Sequence, residues 1–126
     1  MIRNALARTL GRGRWAEALA ERHLLARDMH LLARNYRFRG GEIDLIMEHA
    51  GVIVFVEVRY RGNAAFGTAA ESVDRHKQQR LLRTAELYLQ THARERADAA
   101  CRFDVIAITG NGQTADIEWI RDAFQA

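Results

Sequence analysis

Gly41-Glu42-Ile43-Asp44-Leu45-Ile46-Met47-Glu48-His49-Ala50-Gly51-Val52-Ile53-Val54-Phe55-Val56-Glu57-Val58-Arg59-Tyr60-Arg61 reads as two apolar strands joined at Ala50-Gly51. A turn centred on those two residues sets Glu48 against Ile53, Ile46 against Phe55 and Asp44 against Glu57. Side chains alternate along a strand, so Arg59 points the same way as Glu57. Val52, Val54, Val56 and Val58 line one face of the second strand, while Ile53 and Phe55 begin the other. A strand that is apolar on both faces belongs in the middle of a sheet, with helices above and below.

Two carboxylates and a guanidinium thus fall among core residues. Like charges directly opposite one another destabilise a sheet, and an unpaired buried carboxylate costs roughly 3 kcal/mol or more. A divalent cation would compensate two converging acids. Mg2+ takes one or two carboxylates, keeps several waters and leaves room for phosphate oxygens. A structural salt bridge from Arg59 or another arginine would serve as well, as would a solvated strand end. The hairpin alone leaves these open.

Before the hairpin, residues 1–13 contain Gly11 and Gly13 and little periodicity, which predicts a flexible basic arm ahead of a single domain over 14–126. A helix is expected from about Arg14 to Arg27, with Trp15, Ala18, Leu19 and Leu25 as its apolar stripe and Asp28 at its end. Glu17 and Glu21 lie beside that stripe, where a solvated face is their ordinary role. His30 to Phe38 forms a first strand, and Arg39-Gly40-Gly41 turns the chain into the hairpin.

After Arg61 a ten-residue loop carries Phe66, placed either to stack on a base or to anchor the loop. Ser72 is the expected N-cap of a second helix running to about His92, with Leu81, Ala85 and Tyr88 buried. One turn before Leu81 stands Lys77, the only lysine against eighteen arginines. It either snorkels to solvent or points at an anion over the sheet. Arg102 to Thr109 and Ala115 to Ile120 supply two more strands. Helix, three strands, helix, two strands is an α/β order with a mixed sheet.

The chain has 126 residues, 48% hydrophobic and 28% charged, which suits one soluble domain with a real core. One cysteine, Cys101, excludes an intrachain disulfide and fits a reducing, cytoplasmic location. No apolar run approaches the ~18 residues of a membrane span. Residues 1–39 hold nine arginines against Glu17, Glu21 and Asp28, a net of +6. That charge suits phosphate backbones, and equally a protein that uses arginine as its generic solubilising cation. Five scattered histidines and one cysteine offer no zinc spacing, and no Gly-rich phosphate loop is present. Ser72, the sole serine, has no nucleophile's surroundings. What remains is Asp44, Glu57 and Arg59.

Asp44, a hairpin, then Glu57-Val58-Arg59 resembles the PD-(D/E)xK nuclease-like superfamily, whose core order is αβββαβ. More closely, Arg39-Gly40-Gly41-Glu42-Ile43-Asp44-Leu45-Ile46, Val54-Phe55-Val56-Glu57-Val58-Arg59-Tyr60-Arg61 and Arg102-Phe103-Asp104-Val105-Ile106 resemble the YraN family of bacterial proteins. That family is related to Holliday-junction resolvases, and the likeness runs from Trp15 to Phe124. The resemblance implies a restriction-endonuclease-like fold with a mixed central sheet flanked by helices. It further implies Mg2+ or Mn2+ held by Asp44, Glu57 and the carbonyl of Val58, with Glu17 as the assisting acid from the first helix. DNA, including branched DNA, is the implied partner, with Arg37, Arg39, Arg61 and Lys77 as candidate phosphate contacts and no membrane association.

One position departs from the superfamily pattern. Arg59 stands where a lysine is usual, and arginine stays charged at any physiological pH, so it cannot act as a base. It can stabilise charge developing on phosphorus. Lys77 is the candidate to supply the missing ammonium. Two other readings remain: a non-catalytic nucleic-acid-binding module of the same fold, and a homodimeric scaffold whose acids form structural salt bridges.

Overall fold

In the computed structural model, which describes residues 2–61, 73–96, 100–110 and 114–125, the hairpin has the expected register. Strand β2 (Gly41–His49) pairs antiparallel with β3 (Val52–Arg61) from His49↔Val52 through Glu48↔Ile53 and Ile46↔Phe55 to Leu45↔Val56. Ala50 and Gly51 have φ of 51° and 84°, as a two-residue type I′ turn requires. Before it, β1 (His30–Phe38) is joined to β2 through Arg39 and Gly40, at φ 47° and 82°. The chain then crosses through helix α2 (Arg75–His92) and a 3-10 turn, Arg94–Arg96, to β4 (Cys101–Thr109), parallel to β3. Strand β5 (Asp116–Phe124) closes the order β1-β2-β3-β4-β5.

As its composition predicted, β3 lies at the centre. Ile53 and Phe55 pack with Leu81, Ala85 and Tyr88 of α2. Val54 and Val56 pack on the other face with Ala16, Ala20 and Leu24 of α1 (Ile2–Leu25). The mixed sheet with a helix on each face is the α/β architecture expected, consistent with a restriction-endonuclease-like core. Among the described residues no helix is long and apolar enough to cross a membrane.

Several boundaries differ from expectation. The backbone of α1 is helical from Ile2, through the segment expected to be an arm. Gly11 and Gly13 each cost a helix about 1 kcal/mol but do not break it as proline would. Its buried stripe is Ala16, Ala20 and Leu24, flanked by Trp15 and Leu19, whereas Leu25 is exposed. Asp28 does end it: at φ 64° it lets the Met29 N–H reach the Leu24 carbonyl at 3.3 Å, and both of those side chains are buried. For α2 the N-cap is Asp74, which accepts from the Lys77 N–H at 2.8 Å, not Ser72. Ser72, Phe66 and the side chain of Arg61 lie outside the described residues.

Candidate functional site

Beyond Leu45↔Val56 the β2–β3 ladder stops, although both strands continue. Asp44 and Glu57 are therefore the first residues past the last pair, at the point where the two strands part. The Val58 N–H would otherwise go unmet at that edge, and it donates to Asp44 Oδ2 at 2.8 Å. In an extended strand a residue's N–H and C=O face the same edge, so the Val58 carbonyl also faces the opening.

Strand parting leaves a cavity of about 240 Å³ beneath the start of α2, lined by Gly41, Glu42, Asp44, Glu57, Lys77 and Arg80 among others. Gly41 is required here. A Cβ at that position would lie 1.9 Å from Thr84 Oγ1, so only glycine lets the β1–β2 turn sit against α2.

Glu57 is buried, and its Oε1 receives Lys77 Nζ at 2.7 Å, with Arg59 Nε at 3.9 Å from the same oxygen. The sole lysine thus comes off the first turn of α2 into the acid pair. Arg59 shares the α2 face with Glu57, as strand alternation required.

Asp44 has different company. Carboxylate oxygens of Glu17, Glu42 and Asp44 all lie within 4.8 Å of one another. Asn35, at φ 49° on β1, turns its amide into this group, with Nδ2 3.0 Å from Glu17 Oε2 and 3.4 Å from Glu42 Oε1. Arg37 Nε stands 3.4 Å from Glu42 Oε1 at the exposed rim. Burial, then the charge of Glu57, push the Asp44 carboxyl up to about 8, against the lowering effect of the Val58 N–H; Glu17 and Glu42 add to the rise. Local negative charge exceeds what these side chains neutralise. A converging set of carboxylate oxygens fits a hard divalent cation such as Mg2+ or Mn2+.

The expected residues Asp44, Glu57, Arg59, Lys77 and Glu17 are thus gathered at one end of the sheet, and the Val58 edge opens onto it. Arg39 is exposed in the β1–β2 turn, its guanidinium 5.4 Å from the centre of the Phe38 ring. Glu42, Asn35 and Arg80 were missed. Arg80 is three after Lys77, a spacing that puts neighbours on one face of a helix. No such rule links Glu42 to Asp44, because alternation along β2 breaks there: Ile43 packs on the α2 face and Leu45 on the α1 face.

Residues 16–108 match the model of the uncharacterised protein family UPF0102. The chain belongs to the UPF0102 family. A UPF0102 protein of Stutzerimonas stutzeri is 54% identical over 114 residues, covering 90% of this chain and 94% of the relative. One from Saccharophagus degradans is 53% identical over 112 residues, covering 89% and 91%. The UPF0102 protein YraN of Escherichia coli is 51% identical over 108 residues, covering 86% and 79%. The resemblance drawn from the GEIDLI and VFVEVRYR stretches is thereby borne out. The matched span includes Glu17, Glu42, Asp44, Glu57, Arg59 and Lys77.

Proposed function

We propose that this UPF0102 member is a metal-dependent phosphodiesterase of the nuclease type, acting on DNA. The observation that carries the reading is a division of charge across one cavity. Glu42 and Asp44 line it on one side, with a Glu17 oxygen from α1 crowded against theirs, and the buried Glu57 meets Lys77 on the other. Structural salt bridges alone would give each acid its own cation. Asp44 is instead pressed against other acids.

A divalent ion bound by Asp44 and Glu57, with Glu17, Glu42 and the Val58 carbonyl near, would polarise a phosphate oxygen and make its bound water more acidic. The chain's own groups do the rest. Lys77 and Arg80 present positive charge to a phosphate entering beneath α2. Arg59 keeps its charge throughout and stabilises the negative charge that builds on the non-bridging oxygens. Arg37 and Arg39, exposed on the β1 side, meet flanking phosphates as point contacts that carry no sequence information.

The test is cleavage of branched, single-stranded and duplex DNA with Mg2+ or Mn2+, repeated with Asp44→Asn. Metal-dependent cleavage lost in the variant supports the reading. Salt-dependent DNA binding that survives Asp44→Asn without cleavage would assign a binding module of the same fold. Neither activity would leave the scaffold reading.

A further inference from the structure

Glu57 and Lys77 form an asymmetric pair. The Glu57 side chain is 7% exposed and that of Lys77 is 28% exposed, so the pair is closed at the carboxylate and open at the lysine. The Glu57 oxygen that holds Lys77 at 2.7 Å also has Arg59 Nε at 3.9 Å. Two cations are already directed at one buried oxygen, across the cavity from Asp44. A divalent ion shared by Asp44 and Glu57 must approach that carboxylate too, and three positive centres cannot share it without strong repulsion.

The two resident cations differ in their freedom to leave. Arg59 is a planar fork on the central strand, and its Nε is buried. Lys77 is a point charge on a flexible four-carbon stem in the first turn of a helix, with solvent on one side and the cavity on the other.

We propose that Lys77 is a resident counter-ion at Glu57 that a divalent ion displaces, so that metal and lysine compete for one carboxylate. In the metal-free protein Lys77 is the cation paired with Glu57. When an ion takes the place of Lys77, the ammonium is released into the cavity that Arg80 also lines. Loading of the metal and presentation of the lysine to a phosphate are then one event. The competition rests on the metal half of the nuclease reading, the divalent ion at Asp44 and Glu57, and the phosphate step rests on the whole of it.

The experiment uses the full chain without DNA. Mn2+ binding is measured by calorimetry for the wild type, Lys77→Met and Lys77→Gln, with circular dichroism to establish that each is folded. Removing the competitor is expected to tighten Mn2+ binding roughly tenfold, the scale of one charge-assisted hydrogen bond. A second arm needs no variant. Because Lys77 is the only lysine, lysine-labelled protein reports this side chain alone by NMR. Its ε-methylene resonance should shift with added Mg2+ and saturate together with the backbone amide of Val58.

Unchanged or weaker Mn2+ binding in both folded variants would overturn the proposal. So would a fixed lysine resonance while the Val58 amide saturates, or no binding of Mn2+ by any of the three proteins. Mn2+ binding without tightening in the variants or movement of the lysine fails this proposal alone, whereas no Mn2+ binding at all fails the nuclease reading with it.

Discussion

Replacing Asp44 by asparagine should stabilise the metal-free protein, and more so as pH rises. Burial and the neighbouring acids raise the Asp44 carboxyl from an ordinary 3.8 to about 8 in the folded chain. The unfolded chain therefore loses this proton near its ordinary value while the folded chain retains it. Where the folded state binds more protons, stability falls as pH rises. The penalty is absent below the ordinary value, grows through the interval, and is fully present above about 8. At about 1.4 kcal/mol per unit, the interval up to pH 7 corresponds to an upper bound of roughly 4 kcal/mol. Asp44 is only partly buried and keeps its Val58 hydrogen bond, so about 2 kcal/mol is the realistic gain. Asparagine fills the same space, still accepts from Val58 and carries no charge. The assay is urea unfolding with a chelator present, wild type against Asp44→Asn, between about pH 5 and pH 8. The difference should widen with pH. A variant less stable than the wild type throughout, or two parallel pH profiles, would refute the electrostatic account of this site.

Asp104 offers the opposite case: fully buried, it takes Arg102 Nε at 3.0 Å, Trp119 Nε1 at 2.8 Å and the Asp122 N–H at 2.9 Å, fastening β5 where its register shifts. Asp104→Ala should cost about 3–5 kcal/mol by urea unfolding, and a loss under about 1 kcal/mol would show the network to be ornamental. Gly41→Ala drives a Cβ into Thr84, which must give up its 2.9 Å bond to the Arg80 carbonyl or lift α2. A loss of about 1–3 kcal/mol is expected, largely recovered by adding Thr84→Ala; no recovery would place the strain elsewhere. Asp74→Ala removes the α2 cap and should lower stability by about 1 kcal/mol, read as a shift in the denaturation midpoint.

Much of this architecture was legible because short-range rules apply where packing is regular. Gly51 fixed the hairpin register, and β3, apolar on both faces, could only be central. Helical spacing back from Leu81 brought Lys77 to the sheet. Legibility failed where the backbone leaves its ideal path. Alternation along β2 breaks around Asp44: Ile43 packs on the α2 face and Leu45 on the α1 face. Pattern alone therefore could not show that Glu42 and Glu17, from different sides of the sheet, both reach Asp44. Asn35 entered the site through a left-handed backbone, which no hydrophobic pattern announces. The start of α1 was missed because two glycines outweighed a helix-favouring run of alanine, leucine and arginine. Asp74 and Ser72 are both good caps by type, and only the Lys77 N–H decides between them.

The account depends most on Asp44 and Glu57 acting together on a metal-bound phosphodiester. The direct measurement is the rate of cleavage of a branched DNA against Mn2+ concentration, for the wild type, Asp44→Asn and Glu57→Gln. The account predicts a rate that saturates with Mn2+ in the wild type and falls by about a hundredfold or more in each variant. Cleavage that persists at the wild-type rate in both folded variants, or a wild type inert at every Mn2+ concentration, would contradict it.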